Sequence, residues 1–225
     1  MITFKSDNLK AEAEIRLTDP PRPAKSRLWA WLIVLLVISL TAFIRYRLLD
    51  MPLERDEGEY ACSGQFLMAG IPPYQQVWNM KLPGTYLAYA LGMAVFGQTA
   101  AGVHATLLVV NSLAIVLVFL LGQRLFGITA GLAACATYGV LSASPAVLGL
   151  AGHANQFVVL FAVWGALQLW KAEEFYRWHA MFFSGLLFGL AFLMKQQGVC
   201  FCLFAVIVLS GTPFKTTPFS GRYFS

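Results

Sequence analysis

The sequence predicts an all-α polytopic membrane bundle of about six transmembrane helices, with short juxtamembrane helices in its first outer loop. Composition is the first reason: the 225 residues are 58% hydrophobic and only 12% charged, with a mean hydropathy of +0.66, whereas a typical soluble domain is roughly 25% charged. The distribution of charge is the second. Asp, Glu, Lys and Arg are absent from 28–44, 82–123, 125–170, 178–194 and 196–214. A helix needs roughly 20 apolar residues to cross a hydrocarbon core about 30 Å thick, so the two longest stretches each hold more than one element.

Residues 1–27, charged and carrying Pro20, Pro21 and Pro23, bury too little apolar surface to fold alone and read as a cytoplasmic tail. The first span, 28–44, runs into Arg45-Tyr46-Arg47 without a small-residue cleavage pattern, which fits a signal anchor and not a cleaved signal peptide. An outer loop, 45–100, follows. Its apolar part, 83–97, is about 22 Å long as a helix and contains Gly84, Gly92 and Gly97; it could cross or lie in the interface, and the placement of charge favours the interface. The next span is 102–121. The polar turn Gly149-Leu-Ala-Gly-His-Ala-Asn-Gln156 separates spans at 129–148 and 157–170, and Lys195-Gln-Gln-Gly198 separates 179–194 from 199–211. Residues 28–211 are thus one transmembrane domain. The ending, 212–225, departs from this pattern as a truncated or frame-shifted chain would.

The formal net charge of +5 is spread among apolar segments, which argues against nucleic-acid binding and for a topological role. With 83–97 in the interface, Arg22, Lys25, Arg27, Arg124, Lys171, Arg177 and Lys215 share one side, as the positive-inside tendency asks; Arg45 and Arg47 count against it. The acidic loop, Lys81, the His153 to Gln156 turn and Lys195 then meet at the outer face. Cys62, Cys135, Cys200 and Cys202 have neither a metal-binding spacing nor the density of a disulfide scaffold and read as small hydrophobes.

Glu54, Asp56, Glu57 and Glu59 fall within six residues of the outer loop. Tyr60, Gly64, Leu67, Met68 and Ile71 follow at helical spacing, closed by Gly70 and Pro72-Pro73. Asp56 and Glu57 would stand at the N-terminus of that helix, where the dipole keeps carboxylates charged, the form that a general base or a metal site requires. The plainer reading is an acidic loop that caps a helix, with Lys81 and Lys195 snorkelling to headgroups and His153 an ordinary loop histidine. His104 and Asn111, seven apart, suit bonding between helices more than catalysis.

The order of these motifs resembles the GT-C superfamily of integral-membrane glycosyltransferases, in its family 39 or protein-mannosyltransferase-like and aminoarabinose-transferase-like branch. The residues that carry the resemblance are Arg55-Asp-Glu-Gly-Glu-Tyr60, Lys81-Leu-Pro-Gly84, Gly122-Gln-Arg-Leu-Phe-Gly127 and the Gly-Leu-rich run from Gly185 to Lys195. Lys-Leu-Pro stands where the family has Lys-Pro-Pro, and His153-Ala-Asn-Gln156 stands where it carries an acidic residue. The resemblance implies an enzyme that moves a sugar, with inversion, from a polyprenyl-phosphate donor lipid to a lipid, glycan or protein acceptor. It implies a multi-pass protein of the bacterial inner (plasma) membrane with its site on the extracytoplasmic face.

By the same resemblance Asp56 is the base that deprotonates the acceptor, and Glu57 its orienter. Lys81 and Lys195, with Arg55 third, face the donor phosphate; His153, Asn155, Gln156 and Tyr60 contact phosphate or sugar. No cofactor is specified, and a divalent metal at Asp56 and Glu57 stays open. A transporter or a passive membrane scaffold is the alternative, as is an inactive fragment of such an enzyme; against transport, polar groups gather at one surface while the spans are nearly free of charge.

Overall fold

The computed structural model describes residues 24–77, 81–175 and 177–211; the expected tails, apart from 24–27, lie outside them. Eight α-helices are present among the described residues: α1 (Ala24–Arg47), α2 (Arg55–Met68), α3 (Gly84–Phe96), α4 (Ala100–Phe126), α5 (Ile128–Ser142), α6 (Ala154–Phe175), α7 (Trp178–Met194) and α8 (Val199–Gly211). The described residues contain no strand. Leu28–Arg47 and Ala100–Phe126 are long and apolar enough to cross a membrane, and α3, α5 and α7 are shorter apolar helices. The chain is an all-α membrane helix bundle.

The chain divides between Ile33 and Val34. The part before the division contributes the first turns of α1, with Leu28, Trp29 and Leu32 exposed. The second unit holds the packed helices. There Leu35, Leu40, Phe43, Val140, Phe182, Val206 and Ile207 are all exposed, as a surface facing lipid requires.

Helix limits follow local chemistry. Thr99 caps α4, its hydroxyl accepting from the Gly102 N–H at 3.1 Å. α4 and α5 join at Gly127, whose φ of 92° suits glycine. The expected span 129–148 is interrupted: α5 ends at Ser142, and Pro145–Val147 forms a 3-10 turn opened by the Ser144 side chain. α6 starts at Ala154, earlier than 157, because the polar turn supplies its first residues.

α3 docks at one end of the bundle. Thr85 donates from its hydroxyl to the Met194 carbonyl at the end of α7, 2.7 Å away, and Tyr89 donates to the Gly152 carbonyl at 2.6 Å. α2 crosses α3 at Gly64, where a Cβ would lie 3.0 Å from the Ala90 nitrogen and against the Met93 side chain. Of the expected α2 stripe, Tyr60 and Gly64 are buried and Leu67 packs on the core, whereas Met68 is 41% exposed.

Arg45 explains why a basic residue stands at this end of α1. It is 5% exposed, and its Nη2 donates to the Ser142 and Gly149 carbonyls at 2.9 and 2.7 Å. It ties the end of α1 to the α5–α6 connection instead of acting as a free flanking charge. Arg124 lies at the far end of α4, 5.2 Å from the Trp170 ring centroid.

Candidate active site

Glu54 stands just outside α2 in extended geometry. Its Oε2 accepts from the Asp56 N–H at 2.8 Å, and Glu57 Oε2 accepts in return from the Glu54 N–H at 2.8 Å. This capping box fixes where the helix starts. Consecutive residues on a helix diverge by about 100°, so Asp56 and Glu57 point in different directions.

Glu57 points inward and is fully buried, 0% exposed. Its Oε1 accepts from the Gly152 N–H and lies 3.4 Å from His104 Nε2. The His104 Nδ1 is 2.8 Å from the Leu49 carbonyl. Burial pushes the Glu57 carboxyl up, but the His104 ring and the Glu54 and Gly152 N–H groups outweigh burial and hold it below the ordinary range.

Asp56 points outward. Its Oδ2 is 3.2 Å from Lys81 Nζ and 3.8 Å from His153 Nδ1, and its Oδ1 is 3.4 Å from the exposed guanidinium of Arg55. Lys81 also reaches Glu59 Oε2 at 3.6 Å and sits 4.6 Å from the centroid of the Tyr60 ring. Burial works against the charge on both partners. The Lys81 ammonium nevertheless brings Asp56 below its ordinary range, with help from Arg55, while the Tyr60 hydroxyl and Asp56 raise Lys81 above its own.

The second cation arrives from α7. Lys195 Nζ donates to Asn155 Oδ1 at 3.0 Å, and Asn155 is two residues from His153. One ledge thus carries Asp56, Glu59, Lys81, His153, Asn155 and Lys195. It rests on an aromatic layer in which the Tyr60 centroid is 6.2 Å from Tyr86 and 5.4 Å from Tyr89, and Tyr89 is 6.1 Å from Phe157.

Three of the expected roles fall on residues held by contacts inside the protein. Asp56 faces the Lys81 ammonium group, whereas Glu57 has both oxygens engaged inside the protein; among the described residues there is no group of three or more His, Cys, Asp and Glu placed to hold a metal ion. Tyr60 is 2% exposed, with the Lys81 ammonium 4.6 Å from its ring centroid. Gln156 donates to the Gly149 carbonyl at 2.8 Å and holds its own loop. Sequence reasoning missed Gly152 and Tyr89, the capping role of Glu54, and the partner of His104, which bonds between helices as expected but to Glu57. A Glu-x-x-Glu spacing before the helix was the available signal for Glu54; the others depend on contacts distant in sequence.

Residues 81–223 match the family model described as dolichyl-phosphate-mannose-protein mannosyltransferase. No curated protein and no solved structure matches the chain. The match begins at the lysine paired with Asp56 and takes in His153, Asn155 and Lys195, while the acidic cluster itself lies before it. Covering more than half of the chain, it makes this protein a member of the dolichyl-phosphate-mannose-protein mannosyltransferase family of membrane glycosyltransferases.

Proposed function

We propose that this protein transfers a sugar from a polyprenyl-phosphate carrier to a hydroxyl of a lipid, glycan or protein acceptor, with inversion, at the extracytoplasmic face of a bacterial inner membrane. The observation that carries the reading is the meeting of Asp56 with Lys81 at 3.2 Å, beside His153 and the Asn155–Lys195 pair. An inverting displacement needs a base on the acceptor side and cations on the phosphate side, since positive charge builds on an oxocarbenium-like sugar while negative charge grows on the leaving group.

The acceptor oxygen attacks the anomeric carbon, its proton passes to the Asp56 carboxylate, and the bond from that carbon to the phosphate oxygen breaks. Lys81 and Lys195 balance the charge of the departing polyprenyl phosphate. Asn155 holds Lys195 toward the ledge, and Arg55, on its exposed side chain, is a weaker third cation. The carrier tail stays in the bilayer throughout. α3 supports the topology: its contacts on Met194 and Gly152 lie at the same end as the ledge, which favours a helix lying along the surface.

Asp56→Asn is the test. A positioned general base contributes about 10²–10⁴ in rate, so transfer from a polyprenyl-phosphate sugar falls by about that factor while the variant inserts normally. Unchanged transfer would remove Asp56 from the role.

A further inference from the structure

We propose that one buried water, bonded to the hydroxyls of Ser63 on α2 and Tyr86 on α3, fills the small cavity under the 72–77 segment and joins the helix that carries Asp56 to the helix that follows Lys81. Two observations meet here. Ser63 is 7% exposed and Tyr86 1%, yet among the described residues neither hydroxyl oxygen has a hydrogen-bond partner. Both side chains also line the same cavity, of about 10 Å³.

Buried polar atoms are almost always paired, with protein or with ordered water, because leaving one unpaired forfeits its solvation. Ser63 and Tyr86 do not bond each other, so what each lacks comes from a third group. A hydroxyl can both donate and accept, and water can answer it in either sense. One water needs about 10–15 Å³ and two to four polar partners. The cavity has about that volume, and Gln76 in its wall brings a side-chain amide as a third partner.

The surroundings explain why a gap of this size lies here. Gly64, the residue after Ser63, is where α2 crosses α3 most closely, so Ser63 and Tyr86 come to the walls of one narrow space. Phe66 and the 72–77 segment close it. That segment turns back at Tyr74, whose φ of 71° is rare for a bulky residue; the Tyr74 hydroxyl donates to the Lys81 carbonyl at 2.7 Å, and its ring centroid is 6.3 Å from that of Tyr86. Asp56, Glu59 and Ser63 recur along one face of α2, and Glu59 lies 3.6 Å from Lys81 Nζ. The water therefore stands about one helical turn beyond the Lys81–Glu59 pair. A space this small takes no sugar ring, which makes the water part of the protein and leaves the proposal independent of the role given to Asp56.

The experiment uses the full chain in detergent. Hydroxyl radicals generated from water by a brief X-ray pulse oxidise side chains that touch an ordered water. Tyr86 is expected to be oxidised well ahead of Tyr89, which is 3% exposed and has its hydroxyl bonded to the Gly152 carbonyl. Equilibrium unfolding of Ser63→Ala, Tyr86→Phe and the double variant gives the second readout. Each single change strands the other hydroxyl and is expected to lower the folding equilibrium constant about tenfold. The double variant loses less than the product of the two, because two apolar walls need no water. Oxidation of Tyr86 no faster than that of Tyr89 overturns the proposal, and so does a double variant that loses the full product. If a variant fails to fold, the oxidation of the unaltered protein decides.

Discussion

Replacing Lys81 by Gln removes a charge that Asp56 feels at 3.2 Å and Glu59 at 3.6 Å. Two unit charges at the shorter distance interact by about 5 kcal/mol at an effective dielectric near 20. The Lys81 side chain is 33% exposed and that of Asp56 21%, so screening and the cost of ordering both side chains reduce the net effect to about 1 kcal/mol. The pH window follows from the signs. Asp56 is lowered in the folded state, so its contribution is complete above the unfolded carboxylate pKa and is lost as pH falls through the folded value. Lys81 is raised, so its contribution is complete below the unfolded lysine pKa and is lost as pH rises through the folded one. Between those ranges Lys81→Gln is less stable by about 1 kcal/mol, and on acidification the two proteins converge as Asp56 protonates. Thermal unfolding in detergent across pH measures the gap. The acid limb of transfer also moves to higher pH in the variant, because burial still pushes Asp56 up with its main counter-charge gone. A gap of equal size at neutral and acid pH, with an unmoved acid limb, would refute the assignment of Lys81 as the counter-ion of Asp56.

Thr85 is fully buried and bonded to the Met194 carbonyl, so Thr85→Val leaves that carbonyl without its partner and costs about 1–3 kcal/mol; an unchanged unfolding temperature would mean that α3 does not depend on this bond for its docking. Cysteines introduced singly at Gln75, Arg124 and His153 of a chain freed of its own cysteines test the topology. Positions 75 and 153 should react with an impermeant maleimide from one side of the membrane and 124 from the other. Labelling of 75 and 153 from opposite faces would overturn the arrangement.

The all-α class was legible because it depends on where charge is missing, a one-dimensional property: the expected spans 28–44, 102–121, 179–194 and 199–211 fall on α1, α4, α7 and α8. Limits set by hydrogen bonds were harder to read. Nothing apolar ends at Ser142, yet α5 stops there: Ser144 and Pro145 open a tighter turn, and the Arg45 guanidinium takes up the Ser142 carbonyl. Arg45 also shows how a charge count misleads. On sequence it weighs against the orientation, whereas in the fold its charge is spent on two buried carbonyls at a distance of about a hundred residues along the chain.

The candidate site divides along the same line. Asp56 and Glu57 at a helix N-terminus could be read from a local pattern of capping residues and apolar spacing. That one turns out to meet Lys81 while its neighbour turns in could not, because the choice depends on what packs against α2. The deciding groups are the Gly152 N–H, 95 residues away, and the His104 ring on α4. A carboxylate is buried only where donors meet it, and those donors come from segments that converge only in the folded chain. Two acidic residues side by side therefore do not say which of them turns inward; here the Glu54 and Gly152 N–H groups and the His104 ring claim Glu57 for the interior and leave Asp56 beside Lys81, the carboxylate proposed as the base.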